Sequence, residues 1–302
     1  MQTSPTPTQL LPVPATTAKR SFSKTIWREG QTVGKIIQYL VLSFQAVLTI
    51  FPLIWVVSNS FRTTDQILTS IRIFPEALTF ANYTKVLTAT SIPRAFFNSV
   101  TITGATMLLL LAVVLPLAFA LARFRFAAAN QVYLFFSLAV LVPTVTVLPT
   151  MFRLYNELGL LGFKYAIAFV YVAQQLPISI FLMVMFMRSI PPELDEAAII
   201  DGCGTWGIFR HIALPLSRNG IVTITILAFV AVWNDYINAL VILTNQYDKT
   251  LSVVLAYARG EFSVDYGMMS AAIVIAVAPM IVVYLFIKER LIAGMAVGAV
   301  KG

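Results

Sequence analysis

Apolar residues in this chain fall in long unbroken blocks. Residues 36–61, 95–122, 126–152, 165–187 and 266–287 hold no Asp, Glu, Lys or Arg, and 219–247 holds a single acid, Asp235. Each block exceeds the ~20 residues of helix needed to cross a bilayer. Alternation at period two is absent, which argues against a β-barrel. Pro52, Pro116, Pro143, Pro149, Pro177 and Pro279 lie inside the blocks. They would break helices in water, but in a membrane neighbouring helices satisfy the carbonyls they free. The pattern predicts an all-α integral membrane fold of six transmembrane helices.

Between the blocks the polar segments are short, apart from 62–94, 188–218 and 248–265. Residues 62–94 and 248–265 have room for short helices or a loop folding back toward a pore, and neither reads as a separate domain. Residues 1–35 combine Pro5, Pro7, Pro12 and Pro14 with Lys19, Arg20, Lys24, Arg28 and Lys35. That mixture buries no core and reads as a disordered cytoplasmic leader. The six-span domain then covers 36–292, and 293–302 form a cytoplasmic tail. No repeat of 20–50 residues is visible.

Composition supports the membrane reading, with 59% apolar and 11% charged residues against roughly 25% charged in globular domains. In a soluble protein the net charge of +8 would suggest a nucleic-acid partner. Here it reflects basic loops, and no nucleic acid is expected. An even number of spans puts both termini on one side. Placing them inside gives the cytoplasmic segments, with Arg123, Arg125, Arg188, Arg210, Arg218, Lys288 and Arg290 added to the basic leader, more Lys and Arg than the opposite side. The expected location is the plasma (inner) membrane, multi-pass, with both termini cytoplasmic.

That orientation makes the stretch Ile190–Leu216 cytoplasmic, between spans 4 and 5. Pro191 and Pro192 suit a first helical turn, where a missing N–H costs nothing. Glu193, Asp195 and Glu196 then sit at the positive end of the helix dipole. Gly202 is expected to stop this helix. Ala198 and Gly202, four apart, share a face with almost no side chain, which permits close approach by another surface. Thr205 is a candidate cap for a second short helix through Trp206, Phe209 and Ile212 to Pro215. Solvated loops have little use for exposed aromatics, so Trp206 and Phe209 point to a docking knob.

Glu196-Ala197-Ala198, three residues, Gly202, nine residues, then Ile212-Ala213-Leu214-Pro215 resembles the EAA loop of ABC-importer permeases at every fixed position. Cys203 stands where that family usually has Ala. Gly294–Gly302 is similar to the terminal tail of the maltose/trehalose-type sugar permeases, and Trp233-Asn234-Asp235-Tyr236 to a stretch of their fifth span. The similarity covers residues 36–302.

This resemblance implies a non-catalytic permease subunit of a carbohydrate importer that forms half of a translocation pathway for a di- or oligosaccharide. It implies that Glu196, Ala197, Ala198, Asp201, Gly202, Trp206, Phe209, Ile212, Leu214 and Pro215 form a coupling helix region seated on a separate ATPase. By the same resemblance Gly298, Ala299, Val300, Lys301 and Gly302 reach the ATPase dimer. The implied partners are that ATPase dimer, a second homologous permease, an extracytoplasmic sugar-binding protein and membrane lipid. ATP and Mg would be used by the ATPase, and this chain would bind no cofactor. Importers of polyols and glycerol-phosphates share these motifs, so the solute class stays open.

Asp235, with Asn234 and Tyr236 beside it, is a candidate for the pathway or its gate, because an ionisable group within a span is costly. Packing between helices is the competing role. Gln174, Gln175 and Asn98 raise the same choice. His211 is the chain's one histidine and has no second ligand in sequence, so a metal site is not expected. The methionines read as core filling.

The Gly34-Lys35 pair is no phosphate loop, since its spacing is short and Ile36 replaces the required Ser or Thr. Cys203, the single cysteine, leaves no disulfide or CxxC motif. Intramembrane proteolysis lacks its residues, and an ion-driven secondary transporter would need more membrane carboxylates than Asp235 alone.

Overall fold

The computed structural model describes residues 20–75, 77–261 and 265–299. Among them it is helical and contains no strand. The chain divides into two units, 1–55 and 56–302. The described part of the first unit belongs to helix α1 (Arg20–Ser60), whose side chains from 34 to 54 are exposed. Helix therefore occupies residues 20–35, which the sequence assigned to a disordered leader. Residues 1–19 lie outside the described set.

The second unit is built on two partners that run parallel, α4 (Ile92–Arg123) and α7 (Ala166–Arg188). Pro93 sits in the first turn of α4, where it costs no hydrogen bond. Leu110, Val114, Ala118 and Leu121 of α4 pack with Ile180, Met183, Val184 and Met187 of α7 in one apolar cluster. The two methionines are fully buried, as filling residues should be. At the opposite end a second cluster joins Ile102, Ile167, Val170 and Tyr171 to Ile242 and Val253.

Four helices are long and apolar enough to cross a membrane: Gly34–Ser60 of α1, α4, α7, and Tyr266–Phe286 of α14 (Tyr266–Ala299). Two further candidates are bent rather than straight. Helices α5 (Ala129–Ala139) and α6 (Thr144–Glu157) meet at 102°. Pro143 stands at the break and disfavours helix in the residue before it. The other pair joins the segment Thr205–Leu216 to α11 (Arg218–Trp233) at 71°. The described residues thus hold four to six candidate spans, six when each bent pair counts as one. The 219–247 block is also not one helix, because α11 ends at Trp233 and α12 (Ile237–Ile242) starts after a polar break.

The two polar segments 62–94 and 248–265 hold the short helices their length allowed. These are α2 (Thr64–Thr69) and α3 (Ala81–Ala89) in one, and α13 (Leu251–Glu261) in the other. Arg62 anchors the first and is 2% exposed. Its guanidinium donates to the carbonyls of Arg72 (2.8 Å), Gln66 (2.6 Å) and Ser70 (3.2 Å), and to Asn59 Oδ1 (3.3 Å). Gly267 of α14 lies so close that a Cβ there would be 2.4 Å from the Arg62 carbonyl oxygen and 2.6 Å from Asn82 Nδ2. Only glycine fits.

Candidate functional site

Helix α8 (Glu193–Ile200) begins directly after Pro192 and carries Glu193, Asp195 and Glu196 in its first turn. Its end is set by backbone geometry. Gly202 adopts φ +83°, the Cys203 N–H donates to the Ala198 carbonyl at 2.8 Å, and the Gly202 N–H to the Ile199 carbonyl at 3.0 Å. This 6→1 and 5→2 pair satisfies the last carbonyls, and its left-handed residue is one that glycine takes without strain. Nothing lies within 4 Å of a Cβ built on Gly202, so its face is open.

A second short helix, α9 (Thr205–Ile208), follows at once and runs through a π turn, Phe209–Ala213, into α10 (Leu214–Leu216). Thr205 is its first residue rather than its cap. Gly204 holds the cap position, without a side-chain hydrogen bond.

The proposed coupling residues separate into two sets. Glu196, Ala197, Asp201, Gly202, Trp206 and Pro215 are exposed, and Ala198 is half-buried. Phe209 faces the other way and is 6% exposed. Its ring lies 5.1 Å from Phe119 of α4 and 5.1 Å from Trp206. Ile212 and Leu214 are partly buried against the same core cluster. The expectation of an exposed Phe209 is corrected: it roots the knob in the helix bundle while Trp206, 68% exposed, presents the surface.

Sequence reasoning missed two residues of that surface, Ile199 and Ile200, which are 61% and 86% exposed. The signal was available as a pair of isoleucines directly after the alanines in a segment otherwise polar. An apolar patch of this kind, rimmed by acids, marks a contact site.

At the polar break after α11, Asp235 is half-buried and has protein partners on both carboxylate oxygens. Tyr171 Oη (2.8 Å) and the Ala239 N–H (3.0 Å) donate to Oδ2, and Asn238 Nδ2 (2.8 Å) to Oδ1. Asn238 also exchanges hydrogen bonds with Gln174 (3.1 and 3.3 Å), and Ser252 Oγ donates to the Asp235 carbonyl. Asn234 and Tyr236 are exposed on either side. Gln174 and Gln175 line a cavity of about 370 Å³ with Thr144, Met151 and Pro177. Asn98 serves the segment after α12, donating to the carbonyls of Tyr247 and Lys249 at 2.9 and 3.0 Å.

Gly298 and Ala299 fall in the last turn of α14. Val300, Lys301 and Gly302 lie outside the described residues. His211 is exposed, its Nδ1 3.1 Å from the Gly207 carbonyl. Among the described residues no group of three or more His, Cys, Asp or Glu could hold a metal ion.

Residues 112–297 match the family described as "Binding-protein-dependent transport system inner membrane component". The diacetylchitobiose uptake system permease protein NgcG of Streptomyces coelicolor is 32% identical over 88% of each chain. The lactose transport system permease protein LacG of Rhizobium radiobacter is 31% identical over 88% of this chain and 96% of its own. The trehalose/maltose transport system permease protein MalG of Thermococcus litoralis is 27% identical over 90% of this chain and 99% of its own.

In fold, the chain is similar to a solved bacterial ABC transporter involved in import of the acidic polysaccharide alginate. The TM-score is 0.75 at 21% identity, covering 86% of this chain and 97% of that one. With more than half of its length matched, the chain belongs to the family of binding-protein-dependent transport system inner membrane components, the ABC permease subunits that leave ATP hydrolysis to a separate ATPase.

Proposed function

We propose that this chain forms half of the translocation pathway of a binding-protein-dependent importer for a di- or oligosaccharide, and that α8 and α9 are the part its ATPase grips. The observation that carries the reading is the outward face of the knob. Acids, small residues, Ile199, Ile200 and Trp206 stand exposed on a piece whose other side is rooted in the bundle through Phe209. A rigid projection of this kind passes on displacement rather than absorbing it. In this reading the bent pairs each count as one span, giving six, with both termini in the cytoplasm. The exposed apolar residues of α1 then face lipid or a second permease, and an extracytoplasmic binding protein delivers the sugar.

The solute class is supported by relatives named for diacetylchitobiose, lactose and trehalose/maltose. A relative from Agrobacterium fabrum named for sulfoquinovosyl glycerol is 30% identical, so a glycerol-linked sugar belongs among the solutes tried. The test is affinity purification of the tagged chain, followed by uptake of these solutes into proteoliposomes by the recovered complex.

Gly202→Asp is the matching variant. Asp tolerates the left-handed backbone better than most side chains, and the open space around Gly202 leaves its carboxylate room without disturbing the fold. The expected result is normal membrane insertion with loss of ATPase recovery and of uptake. Recovery of the chain without an ATPase, or full uptake by Gly202→Asp, would overturn the reading.

A further inference from the structure

Helix α8 has no buried residue of its own. Beside it lies a cavity of about 640 Å³ lined by the end of α4, the start of α5 and the inner sides of α8 and α9. Of α8, Ala198 is half-buried against the core cluster, a weak tie by packing for a whole helix. The other tie is ionic: Arg123 Nε of the last turn of α4 lies 2.7 Å from Asp195 Oδ2 of the first turn of α8, with side chains 11% and 15% exposed. Each charge also complements the dipole of the helix end on which it sits. A second arginine runs in the reverse direction. Arg123 Nη1 donates to the Ile190 carbonyl, and Arg188 Nη2 to the Leu121 carbonyl, both at 3.2 Å. Arg188 is itself held over the Tyr133 ring at 4.9 Å.

We infer that the Arg123–Asp195 pair is the link through which displacement of the knob reaches α4, making both of them positioning residues for transport. Stability is a poor reason for this pair. Arg123 Nε, Arg123 Nη2 and Asp195 Oδ1 are all buried without hydrogen-bond partners, so the 2.7 Å contact is a charge pair and not an aligned hydrogen bond, and apolar residues of similar size commonly hold such a position as well or better. An ion pair supplies direction and register that apolar contact across a cavity does not. Arg125, Arg188 and Glu196 line the same cavity, yet among the described residues Arg123 and Asp195 form the ion pair there. With Phe209 gripping Phe119, α4 is held by α8 at its end and by the π turn one helical turn earlier. A push on the knob therefore moves α4 together with α7, the helix that leads into the knob.

This inference rests on the permease reading above. Its test uses the whole importer in proteoliposomes, with whichever of lactose, maltose, trehalose or diacetylchitobiose the wild type takes up. Solute moved per ATP hydrolysed is compared for wild type, Arg123→Gln, Asp195→Asn, Arg123→Lys and the double variant Arg123→Leu/Asp195→Leu. The singles and the double variant should each retain ATPase recovery and lower the transport ratio by about ten-fold, inside the usual range of coupling between sites. The double should be no worse than either single, and Arg123→Lys should recover most of the ratio.

If a single variant fails to assemble because it strands a buried charge, the double variant decides, since it strands none. A normal ratio in the double variant, or failure of every variant to assemble, would overturn the link while leaving the permease reading intact. A wild-type chain that recovers no ATPase would overturn that reading, and the link with it.

Discussion

Tyr171 of α7 donates its hydroxyl to Asp235 at 2.8 Å, across the polar break that ends α11. With the Asn238 amide and the Ala239 N–H this satisfies the carboxylate wholly within the protein. Charge-assisted bonds of this kind contribute about 1.5–3 kcal/mol each when a partner is removed. Tyr171→Phe is expected to lower thermal stability, and Asp235→Asn to lower it more, because whichever way the new amide turns its nitrogen must face a donor, Asn238 Nδ2 or the Ala239 N–H. Melting of both variants in detergent checks this. Normal stability with lost uptake would instead place Asp235 in the solute pathway.

Trp206 and Phe209 touch each other but should respond oppositely to truncation. Phe209→Ala empties a core position and should cost about 3–5 kcal/mol of stability. Trp206→Ala removes an exposed ring and should leave stability within about 0.5 kcal/mol, while weakening recovery of the ATPase. Thermal melts set beside co-purification yields separate the two.

Gly267→Ala should be among the most damaging small changes. The added carbon would press on the Arg62 carbonyl, a backbone atom that cannot swing aside. Overpacking of this kind costs about 1–3 kcal/mol, occasionally more. Poor expression with rapid proteolysis near residues 62–75 is the expected sign.

Arg62→Lys should loosen the same segment. A single ammonium cannot reproduce the planar fork that reaches the carbonyls of Gln66, Ser70 and Arg72. The expected outcome is faster hydrogen exchange across residues 62–75, with exchange in α7 unchanged.

Burial alone would raise the Asp265 carboxyl. The hydrogen bonds it accepts from the Met268 N–H, Lys85 Nζ and Thr64 Oγ1 outweigh burial and hold it below its ordinary value of 3.8. A carboxyl depressed on folding contributes stability above that ordinary value and loses it as pH falls through the folded one. Asp265→Asn should therefore lower the melting temperature at neutral pH and converge with wild type in strong acid.

Much of this architecture is legible from charge spacing. The uncharged blocks mark where helices must lie, and Pro191-Pro192 and Gly202 mark both ends of α8. The facing of Phe209 was not legible, because a short helix of mixed residues has no dominant period. Its orientation is decided by Phe119, some ninety residues earlier in the chain. The bends were hidden for a related reason. Prolines occur inside unbroken helices and at breaks alike here, Pro116 and Pro177 in the former and Pro143 at a break. The Asp235 network needed the fold to bring Tyr171 and Ser252 to it. Ile199 and Ile200 were visible, but apolar residues beside a small-residue motif look like ordinary helix until their exposure is seen.

The π turn at Phe209–Ala213 holds one residue more than an α turn would. That extra residue sets the phase between the docking surface and α11, since each residue advances a helix by about 100°. Deleting the exposed Arg210 would leave every chemical group of the outward face in place while rotating it away from its partner. The knob should thus tolerate many exchanges of side chain at its rim but no change in its length.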